Sequence, residues 1–159
     1  MWDGKSLSET LNRILSELMK KDHAIRTVII TDRTGLTLSH VTKFDARPVD
    51  VDGLGAIGNA VFCASETQGK HTEIKGRLHL VVSEFDTGVI FTAGINQEAV
   101  LCIIADPHVK IGIVRFTIKQ NVKQLVQALK EFHAEEKEED MPIRAEERLL
   151  KFLRELNDY

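Results

Sequence analysis

The sequence predicts an α/β fold of the α+β kind, with elements in the order α-β-β-α-β-β-β-α, and three observations lead there. Short apolar segments fall into a pair and a group of three, each joined internally by turns too short for a crossover, so sequence neighbours run antiparallel. One segment, "AVLCIIA" at 99–105, is apolar on both faces and should be a central strand covered on both sides. Three stretches with helical periodicity supply that cover.

The first helix opens at Ser6-Leu7-Ser8-Glu9, a capping box in which Ser6 accepts from the backbone N–H of Glu9 and Glu9 reaches back. Leu7, Leu11, Ile14, Leu15 and Leu18 then recur at helical spacing to about Met19. The β-branched run "IRTVIIT" (25–31) reads as a strand, "DRTG" (32–35) as a turn with Gly where positive φ is needed, and "LTLSHV" (36–41) as the returning strand. A polar connection at 42–50 leads into a Gly-rich helix over about 52–68.

A long strand is expected over 71–85. Ile74, Leu78, Leu80 and Val82 alternate with His71, Glu73, Lys75, Arg77 and His79. Asp86-Thr87-Gly88 turns the chain into "VIFTAGI" (89–95), and Asn96-Gln97-Glu98 turns it into 99–105. Asp106-Pro107 ends that strand. Ile111, Val114, Ile118, Val122, Leu125, Leu129 and Phe132 then mark one long amphipathic helix. The like-charged "AEEKEED" and Met141-Pro142 break it, so the expected division is a domain over 1–133, an acidic linker over 134–143 and a C-terminal amphipathic helix over 144–159. Leu149, Leu150, Leu153 and Leu156 form one side of that last helix and are the candidate partner contacts.

Charge and composition narrow the function. The chain of 159 residues is 43% hydrophobic, enough for one core, and has no apolar run near the roughly 20 residues of a membrane span. The N-terminus lacks a secretion signal, so a cytoplasmic location is expected. The net charge of −3 comes from residues 134–159, with five Lys/Arg against nine Asp/Glu. A body without a basic stripe points away from nucleic acid and from a membrane surface. Cys63 and Cys102 lack metal or disulfide spacing and read as small buried hydrophobes.

Gly53-Leu54-Gly55-Ala56-Ile57-Gly58 matches G-x-G-x-x-G, the dinucleotide fingerprint. That chemistry needs a buried strand directly before the first glycine, feeding a parallel sheet. Here "RPVDVD" precedes it, with two carboxylates beside the supposed phosphate site, and the strands that follow are antiparallel. No cofactor is therefore expected. Each glycine inside a helix costs about 1 kcal/mol against alanine, so close packing must recover it. Ala56, Ala60 and Ala64 form a small-residue ridge beside the glycines. Such a ridge permits close approach to the sheet, to a second helix, or to both.

No catalytic residue and no metal site are expected. The six histidines are scattered, and His71 and His79 would lie about 26 Å apart on an extended strand. Neither G-x-S-x-G, H-E-x-x-H nor a P-loop is present. His108 after Asp106-Pro107 reads as a turn residue, and a mid-helix apolar setting leaves Cys63 inert.

The element order, with "TDRTGLTL" and "IIADPHVKIGIVR", resembles the roadblock family of dynein light chains and its bacterial and archaeal, MglB-like relatives. The resemblance covers about Leu7 to Phe132. It rests on the Asp32-Arg33-Thr34-Gly35 hairpin and on Asp106, Gly112 and Arg115 around the start of the last helix; Lys110 departs from the small or amide residue expected there. It implies a five-stranded antiparallel sheet in the order 2-1-5-4-3, with the first and last helices on one face and the middle helix on the other. It also implies a homodimer joined through the third strands, with Gly55, Ala56, Ala60 and Ala64 at the seam and Glu73 facing Lys75 or Arg77 of its mate. The function implied is a non-catalytic regulator or scaffold for a small Ras-like GTPase, promoting hydrolysis or modulating exchange. The alternative is a structural adaptor that pairs with another roadblock protein or grips a peptide helix.

Overall fold

A computed structural model describes residues 5–44 and 47–157, with side chains throughout that range except at 5–6, 134–148 and 157. The expected Ser6 capping contact lies outside the described residues. In chain order the elements are α1 (Lys5–Met19), β1 (Ile25–Asp32), β2 (Thr37–Thr42), α2 (Val51–Lys70), β3 (Leu80–Phe85), β4 (Gly88–Ile95), β5 (Ala99–Ala105) and α3 (Ile111–Asn157). The strands form one antiparallel sheet in the order β2-β1-β5-β4-β3.

Periodicity explains which face each element buries. Leu7, Leu11, Ile14, Leu15 and Leu18 of α1 are buried with Val114, Ile118, Leu125 and Leu129 of α3, over Val28, Ile30, Phe91, Leu101 and Ile103 of the sheet. Alternate residues of the same strands face α2, so β5 is covered on both sides, as its unbroken apolar run requires. On that second face the small side chains of Thr27, Thr31, Thr92 and Cys102 are buried alongside Ile29 and Val100. Small sheet residues let the α2 backbone lie close.

Two expectations fail. The long strand over 71–85 begins only at Leu80, and residues 71–79 are an irregular arm. Gly76 takes φ +98°, which breaks the extended path, and the arm joins the sheet at its end, where the Gly94 N–H donates to the His79 carbonyl at 3.3 Å. Alternation of side chains shows what a strand would need, not whether it has a partner. The break expected at Met141-Pro142 is likewise absent: α3 runs as one helix from Ile111 to Asn157, through the stretch expected to be a linker. Ala, Glu, Lys, Met and Arg dominate this stretch, and their helix propensity outweighs the modest repulsion between like charges a turn apart.

Candidate functional site

The middle helix sets the site. Asp50 caps α2 by accepting from the Gly53 N–H at 3.1 Å. A Cβ at Gly53 would crowd the Asp50 carboxylate, which would have to swing aside to keep the cap. The N-terminus at which a pyrophosphate would bind is thus held by the chain's own anion. Gly55 serves the sheet: a Cβ there would come within 2.7 Å of Thr31 Cγ2. This corrects the expectation for Gly55, which turns inward and cannot lie at a seam with another chain. Gly58 lies over Cys102, whose thiol burial pushes up to about 11.

Phe62 completes the contact. Its ring fills the space left by the absent side chain of Gly94, where a Cβ would meet it at 2.5 Å. Arg33 lies over the same ring at 5.4 Å and pairs with Glu66 at 2.5 Å, while Asn59 donates to the Arg33 carbonyl at 2.9 Å. Helix and hairpin turn are therefore one unit.

Within the turn, one oxygen of Asp32 accepts from the Thr34 N–H, the Thr34 hydroxyl and the Leu36 N–H. Burial raises the pKa of this carboxyl, but those bonds and one from Gly35 outweigh it and hold the group below its ordinary 3.8. The stabilisation is complete above that value and is lost as pH falls through the lower folded-state pKa. Asp32→Asn should therefore be less stable than the parent at about pH 7, and the gap should narrow at about pH 3. Urea midpoints at the two pH values read this directly.

Two ion pairs escape sequence reasoning because their partners are far apart in the chain. Arg33–Glu66 is one. Arg26–Asp106 is the other, at 2.6 Å, and the guanidinium holds the Asp106 carboxyl below its usual range. Asp22 ties the start of α3 by accepting from the Lys110 N–H at 3.1 Å, so any backbone amide serves where Lys110 departs from the expected residue type.

The other face of α2 is uncovered. Ala56, Ala60 and Ala64 are exposed, with Ile57 62% and Val61 37% accessible beside them. Glu73, Lys75 and Arg77, expected on a strand, lie exposed on the 71–79 arm, where Arg77 reaches Asn96 Oδ1 at 3.4 Å. Beyond that arm β3 is the outer strand, with a free edge. The tail leucines, Leu149, Leu150, Leu153 and Leu156, are 50–59% exposed, and Phe152 joins their arc. Phe152 stands three residues after Leu149, a helical spacing legible in the sequence although the expected set does not include it. Among the described residues no cluster of His, Cys, Asp or Glu could hold a metal, and no helix is long and apolar enough to cross a membrane.

Comparison with known proteins agrees with this geometry. The family profile described as Roadblock/LC7 domain matches residues 11–105. No curated protein matches. Among solved structures, the gliding protein MglB from Thermus thermophilus is similar, with TM-score 0.72 at 20% identity, covering 82% of this chain and 95% of that one. MglB from Myxococcus xanthus gives 0.70 at 18% identity, covering 82% and 94%. A Roadblock/LC7 domain from Streptomyces avermitilis gives 0.68 at 17% identity, covering 75% and 97%.

Proposed function

The chain belongs to the Roadblock/LC7 domain family, and from that premise we propose that it is a homodimeric, non-catalytic regulator or scaffold for a small Ras-like GTPase. Family membership supports a regulatory or adaptor role. The observation that carries the pairing is the uncovered α2 face, where small residues are flanked by Ile57 and Val61 next to an open sheet edge. An apolar stripe and a free edge on the same side both call for a second chain. Two copies related by a two-fold axis cover both at once.

The GTPase assignment rests on the family resemblance. α2 contains no arginine, so any effect on hydrolysis would come from positioning the partner's own groups. The domain over 1–133 forms the platform, and the tail beyond it offers Leu149, Leu150, Leu153 and Leu156 as a further contact for the partner. Immobilised chain should retain a purified small GTPase in one nucleotide state over the other. Leu153→Glu with Leu156→Glu should lower that retention severalfold. If no member of a panel of GTPases is retained in either state, the reading fails.

The alternative is an adaptor: a second roadblock-type chain would cover the same α2 face and β3 edge. Equal retention of a GTPase in both nucleotide states, or preferential mixing with a second roadblock chain, would support it.

A further inference from the structure

Two carboxylates stand exposed at the far end of the open edge strand. Neither Glu84 nor Asp86 has an ion-pair partner among the described residues. Strand pairing fixes the face on which Glu84 lies. It is opposite Val89 of β4, as Leu80 is opposite Ala93, and both β4 residues belong to the core under α1 and α3. Glu84 therefore projects on the α3 face of the sheet, along its outermost strand.

Two cations stand beside that edge on the same face. Arg115 and Lys119, one turn apart on α3, line a cleft with Leu78, Leu80 and Val81. Both are exposed, and neither has an ion-pair partner among the described residues. α3 follows β5 after a short connection and runs back along it. β3 is parallel to β5, since both are antiparallel to β4, so α3 and β3 run in opposite directions. Lys119 stands by Leu78 and His79, and Arg115 lies about 6 Å further toward the end of β3.

We infer that Glu84 of each copy pairs with Arg115 and Lys119 of the other where two β3 edges join. This rests on the pairing of copies proposed above. For the α2 faces to meet, both must lie on one side of the joined sheet, so the two-fold axis stands perpendicular to it. Residues directly opposite each other then share a face, and the axis passes through a residue rather than between two. With the axis at Val82 or at Ser83, all but one of the β3 residues find a partner. The partner's Glu84 falls opposite Leu80 in the first case and opposite Val82 in the second. Either position is on the face, and near the level, of Arg115 and Lys119. The partner's β3 lies two strand spacings, about 10 Å, to the side of β4, over which α3 packs. An arginine or lysine and a glutamate together reach across that gap. The partner's Asp86, in the turn that follows, brings a second negative charge to the same end. The contact occurs twice about the axis, so it favours one register and makes dimer strength fall with added salt.

Charge exchange between full-length chains tests the contact by sedimentation equilibrium. Glu84→Lys in one chain, and Arg115→Glu with Lys119→Glu in another, each set like charges across the joined edges. Either chain alone should dimerise on the order of tenfold more weakly than the parent. All three positions are exposed, so the protomers should melt as the parent does. An equal mixture of the two chains restores opposite charges at both contacts, and should regain the parent affinity as a mixed dimer identified by its native mass. Variants that dimerise as tightly as the parent, or a mixture no tighter than its components, overturn the ion pairs and leave the α2 seam standing. A monomeric parent chain overturns both.

Discussion

Phe62→Ala is expected to cost about 3–5 kcal/mol, lowering the melting temperature on the order of 10 °C. The ring is 2% exposed and is wedged between α2 and Gly94, so its loss leaves a hole that neither element can close. Gly94 has no side chain to fill it, and the neighbouring α2-facing side chains, among them Thr92 and Cys102, are short. Arg33 would lose the ring it covers and keep only Glu66. The main core, on the other side of the sheet, is untouched by the change. Hydrogen exchange should accordingly show protection lost first in α2 and the β1–β2 turn, with α1 and the buried part of α3 protected nearly as in the parent. Uniform loss over all elements would mean that the two faces do not separate in this way.

Ala60→Trp should leave the protomer folded and abolish its self-association. Ala60 is exposed, so a larger side chain there meets solvent in the isolated chain and should change stability by no more than about 0.5 kcal/mol. In a two-fold dimer the same change enters twice at the place where the small-residue faces meet. Overpacking by two indoles should cost about 3 kcal/mol or more, raising the dissociation constant at least about a hundredfold. The contrast between unchanged melting of the protomer and lost association is the signature of an interface residue.

Much of the fold is legible in the sequence because burial follows period. The 3- and 4-residue spacing of apolar side chains marks the inward faces of α1 and α3, and the unbroken run at 99–105 marks the strand that both layers cover. What fails is orientation and extent. Gly55 and Ala56 are adjacent in a stretch of small residues, and composition does not say that one meets Thr31 while the other faces outward. The arm at 71–79 alternates like a strand, but Gly76 at positive φ interrupts it and strand pairing begins only at Leu80. Arg26 and Asp106 stand 80 residues apart, and nothing local couples them. In the tail, the charge run suggests a break, yet the helix propensity of the same residues prevails. Of the expected seam, Ala56, Ala60 and Ala64 occupy the open face, and Glu73, Lys75 and Arg77 occupy the open edge without the strand expected to carry them.

Sedimentation equilibrium of the unmodified chain at low-micromolar concentration tests the pairing of α2 faces most directly. A particle of twice 17.9 kDa is predicted, reduced to 17.9 kDa by Ala60→Trp. A single species of 17.9 kDa in the unmodified protein, or a dimer that Ala60→Trp leaves intact, would contradict it.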